Sequence, residues 1–267
     1  MDAFQYLDKF LVGQHQLKRE LSVLMEEIKS GTNLNIMFRG PSGHGKTHTT
    51  NIICSYIDIQ QCHSFLGEQL FQFVGTRRVN VLDEIHEVKN PEYIYSYMDS
   101  GKFSFLICTN EYGILKEPLV NRCITFSLRE YQLEDLTTLI KQVLFNHRLQ
   151  IDLELCKKIA VYSRGNPRVA KILAKRSAML FKRVGIPNDV DELVEFLKLY
   201  FDLAKGGFSH YDRQYLDFLK LNKRASLATL SRILCIPQGT IQNEIEPFLI
   251  KKNLIQITNR GRIYTGD

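Results

Sequence analysis

Gly40-Pro41-Ser42-Gly43-His44-Gly45-Lys46-Thr47 has the spacing GxxxxGK[ST], and that spacing suits the binding of a polyphosphate. Glycines at 40, 43 and 45 let successive backbone N–H groups curl around an anion, and the positive end of a following helix adds to the field. Lys46 reaches the outer phosphate oxygens, and the Thr47 hydroxyl is a ligand for Mg2+. The pattern assigns a nucleoside triphosphate to Gly40, Pro41, Ser42, Gly43, His44, Gly45, Lys46 and Thr47, with Thr49 further along the helix. His44 fills a variable position and reads as a spacer.

A second acidic feature follows at 37 residues from Lys46, where Val81-Leu82 runs into Asp83-Glu84. Two acids at a strand end are by themselves common on protein surfaces. Coupled to a phosphate loop they divide the work: Asp83 supports the hydrated magnesium, together with Thr47, and Glu84 polarises the attacking water. The chemistry expected is hydrolysis of ATP with Mg2+.

These groups need strands to carry them. Asn35–Phe38 reads as a short buried strand entering the loop, and Lys46–Ile57 as the helix leaving it. Further strands are expected at Val79–Leu82, Lys102–Cys108 and Cys123–Leu128. Before them, Leu17, Leu21, Leu24 and Ile28 mark an amphipathic helix from Gln14 to Lys29. Strands alternating with helices imply a parallel α/β sheet with its chemistry at the carboxyl ends of the strands. Helical patterns dominate from Leu133 to Ala204, and Lys205-Gly206-Gly207 reads as a linker. Three helices and two short strands around Asn259-Arg260-Gly261 complete the chain. The expected division is 1–130, an ATP-binding α/β domain; 131–204, an all-helical lid; and 205–267, a winged helix.

The 267 residues are 44% hydrophobic and 24% charged, which is ordinary globular usage. Net charge is +6, and Phe208 onward holds nine basic residues against five acids. The excess thus sits in the last quarter, as a polyanionic partner would require. Six cysteines show no CxxC pair, which argues against a zinc site or a disulfide framework. The chain opens with no signal-like segment and has no apolar run of ~18 residues, so a soluble cytoplasmic protein with no membrane partner is expected.

Taken in order, these residues resemble the AAA+ family. Asp83-Glu84-Ile85-His86 closely resembles the second acidic motif of its RuvB branch, the Holliday-junction branch-migration motors. Phe10-Leu11-Val12-Gly13-Gln14 is similar to the family's adenine-side segment, which implies that Leu11 and Val12 hold the base. Thr109-Asn110 resembles the first sensor, implying Asn110 near the γ-phosphate. Asn121-Arg122-Cys123 resembles the arginine-finger region, which also has a clamp-loader counterpart, and implies that Arg122 acts on a neighbouring subunit's nucleotide. Ser163-Arg164-Gly165-Asn166-Pro167-Arg168 resembles the second sensor, implying Pro167 and Arg168 at the phosphates in cis. Ser209–Ile250 is similar to the RuvB winged helix, and Thr258–Arg262 to its wing tip.

The resemblance implies an ATP-hydrolysing oligomeric ring, most naturally a hexamer, that moves double-stranded or branched DNA in recombination and repair. Arg260, Gly261 and Arg262 are expected to face the DNA, with both guanidinium groups projecting outward onto phosphates. One departure stands out: RuvB carries a longer insertion with a partner-docking β-hairpin between the acidic motif and the first sensor, and only 26 residues separate Asp83 from Asn110 here. A loader that places a partner protein on DNA is therefore the alternative, with a non-catalytic scaffold as a third. Two readings stay open within the chain. His86 serves either structure or a relay to the sensor, and Phe65–Phe73 either the core or a pore-facing loop.

Overall fold

The computed structural model describes residues 1–66, 74–204 and 206–266; most of the Phe65–Phe73 stretch therefore lies outside the described residues, while Phe65 itself is buried in the core. Helix α1 (Ala3–Phe10) starts where the Asp2 carboxylate accepts from Gln5 N at 2.8 Å, an N-cap. Helix α2 (His15–Ser30) stops at Gly31, whose φ of 113° only glycine adopts without strain. Leu17, Leu21, Met25 and Ile28 form its buried stripe. Leu24, expected in that stripe, is only partly buried at its edge.

Five strands form one parallel sheet: β1 (Asn35–Arg39), β2 (Cys62–Leu66), β3 (Val79–Asp83), β4 (Ser104–Thr109) and β5 (Ile124–Ser127), in the order β2-β3-β4-β1-β5. Every residue of β4 is buried, and so are the first four of β3. Such continuous burial is the mark of strands covered on both faces. Helix α3 (Lys46–Ile57) follows β1, and α4 (Tyr95–Asp99) precedes β4. Strand β2 has no counterpart in the sequence reading. It lies at the sheet edge and its Cys-His-Ser-Phe pattern lacks the apolar run that marks an inner strand. Because all strands run the same way, the ends of β1, β3 and β4 fall on one rim, with Arg39 beside Thr109 and Leu82 beside Ile107.

The remaining elements are α5 (Glu117–Val120), α6 (Leu133–Asn146), α7 (Leu153–Tyr162), α8 (Pro167–Val184) and α9 (Val190–Phe201), followed by α10 (His210–Asn222), β6 (Arg224–Ala225), α11 (Leu227–Leu234), α12 (Gln238–Thr240), a π-helical turn (Ile241–Ile245), α13 (Glu246–Lys251), β7 (Ile255–Thr258) and β8 (Gly261–Tyr264). Packing divides the chain into two compact units. One comprises Met1–Val143 with Gly165–Ile172, and the other Leu144–Arg164 with Leu173–Asp267.

In the second unit the small antiparallel sheet β6-β8-β7 closes over a core that includes Tyr215, Leu219, Leu230, Ile241 and Leu249. Ser209 and Asp212 form a capping box at the start of α10. The same Asp212, fully buried, pairs with Arg164 Nη1 at 3.3 Å and with Nη2, while Arg164 also donates to Gly207 O and lies 4.2 Å over the Phe248 ring. All six cysteines are free, and no helix among the described residues is long and apolar enough to cross a membrane.

Asp212→Ala would remove the carboxylate half of the capping box and leave the Arg164 guanidinium without its carboxylate, at a cost of about 3 kcal/mol. Amide hydrogen exchange across residues 209–222 should accelerate accordingly, and exchange across 46–57 should stay at the wild-type rate.

Candidate nucleotide site

The phosphate loop is built from backbone that side chains disfavour. Gly40, Gly43 and Gly45 have φ of 148°, 80° and 98°. A Cβ on Gly43 would stand 2.6 Å from Asn166 Oδ1. That asparagine caps α8 through Arg168 N at 2.9 Å, and its Nδ2 donates to Ser42 O at 3.2 Å. The loop is thus held from outside by a residue that the motif alone does not include. Pro41 and Ser42 contribute backbone carbonyls to this frame. His44 is buried, its Nδ1 3.2 Å from Ser42 O. It packs the loop, as a spacer would.

Lys46 is 5% exposed, and its Nζ donates to Gly40 O at 2.8 Å and Pro41 O at 3.1 Å. Burial holds its pKa below the ordinary lysine value, against the opposing pull of Glu84, Cys108 and Asp83, and Arg168 adds to the lowering. The Thr47 hydroxyl donates to Asp83 Oδ2 at 2.8 Å, joining the loop to the end of β3. Thr49 is fully buried with its hydroxyl given to Gly45 O at 2.9 Å. The side chain thereby ties the first turn of α3 to the end of the phosphate loop.

Glu84 follows Asp83 in left-handed backbone, φ 49°, an uncommon state for a non-glycine residue and one that functional sites concentrate. Its Oε2 is buried with no hydrogen-bond partner among the described residues, and His86 Nδ1 lies 3.4 Å away. The same Nδ1 is 3.3 Å from Thr109 Oγ1 at the end of β4. His86 therefore stands between Glu84 and the end of β4. Asn110, the next residue, is exposed.

Arg168 is exposed on the first turn of α8, its Cβ position 3.1 Å from a Cβ built on Gly43. Pro167, buried, opens that helix, where a missing N–H costs nothing. Leu11 is buried, Val12 half-buried, and both lie between α1 and α2. Gln14 brackets this segment, donating to Arg129 O at 2.7 Å and accepting from Arg129 N at 3.1 Å. His48 Nε2 lies 3.1 Å from Phe10 O. Arg122 contacts Asp99, Tyr95 and Pro118, none of them part of the phosphate loop or the acid pair.

The wing departs from expectation. Arg260 is exposed at the turn between β7 and β8. Arg262 does not project outward: Nε donates to Glu246 Oε1 at 2.7 Å and Nη2 to Oε2 at 3.2 Å, and the carboxylate is 2% exposed. A buried acid must be paired, so Arg262 serves the domain core, where Tyr215 Oη also donates to Glu246 at 3.0 Å. Gly261 is likewise structural. At φ 124°, a Cβ there would stand 2.6 Å from Ala225 O across the sheet.

Comparison with known proteins adds a common pattern. Residues 205–267 match the RuvB C-terminal winged helix domain. Over 97% of its length the chain is 28% identical to the Holliday junction branch migration complex subunit RuvB of Ehrlichia ruminantium strains Gardel and Welgevonden, covering 88% of each. A solved Thermotoga maritima RuvB Holliday junction branch migration motor superposes with a TM-score of 0.83 at 26% identity, over 97% of this chain and 94% of that one. The Ehrlichia alignment runs to 295 positions against 267 residues here, so the relatives carry segments that this chain lacks. Consistent with that, residues 84–103 hold two 3-10 turns and α4 but no strand. Together these likenesses support a RuvB-type AAA+ ATPase, with a parallel-sheet domain, a helical lid and a winged helix.

Because Lys46 loses its proton below the ordinary lysine pKa, affinity for ADP should be constant near neutrality and fall as pH rises through that depressed value. Calorimetric titration from neutral to alkaline pH checks this. The alkaline fall should disappear in Lys46→Ala, whose affinity is low throughout.

Proposed function

We propose that this chain hydrolyses ATP as a subunit of a ring, with six subunits the expected number, and uses the turnover to move branched DNA, as a Holliday-junction branch-migration motor. The observation that carries the reading is the joined pair Thr47–Asp83 beside a buried Glu84 oxygen that makes no hydrogen bond among the described residues. That donor set fits a hydrated Mg2+: Thr47 and Asp83 would hold it, and it would supply neutralisation of phosphate charge. Glu84 would then accept a proton from the attacking water, with Lys46 and Arg168 cradling the phosphates in cis. Asn110 would orient the water from the sensor strand, and Arg122 would reach the nucleotide of a neighbouring subunit. Leu11 and Val12 would hold the base.

In the winged helix, Arg260 would contact the DNA backbone, with Lys251 and Lys252 adding positive field. The division at 1–130, 131–204 and 205–267 and a cytoplasmic location go with this reading. The absence of a strand in residues 84–103 also favours, as a second reading, a loader that places a protein partner on DNA. Directional movement on DNA separates the two.

Turnover measured without DNA, with linear duplex and with a four-way junction tests the proposal. Stimulation should be greatest with the junction. Glu84→Gln should keep ATP affinity within about twofold and lose at least a hundredfold in kcat, the usual range for a lost general base. An unchanged kcat would remove Glu84 from the chemistry and the motor reading with it.

A further inference from the structure

Arg122 is not a free arm. Its Nε and Nη2 donate to Oδ1 and Oδ2 of Asp99 at 2.9 Å each, in the side-on fork that best matches a carboxylate. Nη1 donates to Pro118 O at 2.8 Å, and the guanidinium plane lies 4.6 Å from the Tyr95 ring centroid. A guanidinium has five N–H donors. Three are engaged among the described residues, which leaves one on each Nη.

The clamp comes from separate elements. Asp99 ends α4, Tyr95 begins it, Pro118 lies in α5 and Arg122 follows α5. Arg122 thereby ties the segment before β4 to the segment before β5. Surface arginines of this exposure ordinarily sample many rotamers, and such pairs contribute little to stability. A bidentate acid, a carbonyl and a ring together select one rotamer. The paired guanidinium keeps the Asp99 carboxyl below its ordinary range, so the clamp is charged at neutral pH.

We infer that Asp99 is a positioning residue for Arg122: it holds the guanidinium by its side-on edge so that the two remaining Nη donors are presented, already ordered, to the nucleotide phosphates of a neighbouring subunit. This rests on the reading of Arg122 as a group acting in trans. Fixing the rotamer beforehand removes an ordering cost from the transition state, and a small misplacement of such a group is expensive in rate. The Asp99 charge offsets part of the Arg122 charge, so the opposite outcome is a real competitor. If Asp99 instead restrains the arginine as a latch, its removal raises turnover.

The test is steady-state ATP turnover of the full chain with four-way junction present, at equal oligomer size by light scattering. Asp99→Asn should lower kcat about tenfold or more, with KM for ATP within about twofold, because the residue does not touch the subunit's own nucleotide. Asp99→Glu, which keeps the carboxylate, should recover part of the loss. In Arg122→Ala, adding Asp99→Asn should cause no further loss. An unchanged or raised kcat in Asp99→Asn overturns the inference, as does a loss in the double variant equal to the product of the single losses. If Arg122→Ala itself turns over at the wild-type rate, the reading of Arg122 falls and Asp99 falls with it, whereas normal finger behaviour with an inert Asp99 rejects Asp99 alone.

Discussion

A lysine ammonium held almost entirely out of water sets the terms for the first unit. Among the described residues Lys46 donates to the carbonyls of Gly40 and Pro41 alone, at 2.8 and 3.1 Å, and a buried cation with so little compensation draws negative charge toward it. The parallel sheet supplies that charge. Its strands end on one rim, so Asp83 at the end of β3 and Glu84 after it lie close enough to Lys46 to act on its charge. Thr47 joins the two by a single hydrogen bond. The glycines follow from the same demand, since the loop must turn its backbone inward at Gly43, where a Cβ would strike Asn166.

Residues Ser163–Arg168 show how one short segment can serve two bodies. Arg164 gives all its bonds within the second unit, to Gly207, Asp212 and the Phe248 face. Two residues on, Asn166 bonds to Ser42 within the first unit, and Arg168 lies by Gly43. Gly165, φ 85°, is the residue at which the chain passes from one allegiance to the other.

The phosphate loop and acid pair were legible because their chemistry is local: spacing alone forces the backbone turn and the strand end. Four of the five strands were visible as apolar runs. β2 was not, because an edge strand with Cys62, His63 and Ser64 carries no continuous apolar signal. Residues whose roles depend on distant partners were misread or missed. Arg262 sits next to a tight turn, and nothing local says that Glu246, sixteen residues earlier, would capture it. What Asn166, Gln14 and Asp99 do became visible only when the fold brought Ser42, Arg129 and Arg122 to them.

Movement of branched DNA driven by this nucleotide cradle is measured with a synthetic four-way junction carrying one labelled strand, incubated with the full chain and ATP, with products separated as duplex and junction. The junction should be converted to two duplexes in a reaction that requires ATP and is absent with a non-hydrolysable analogue and in Glu84→Gln. A junction that stays intact while ATP is consumed at a DNA-stimulated rate would contradict it, and would turn attention to a protein that the chain loads.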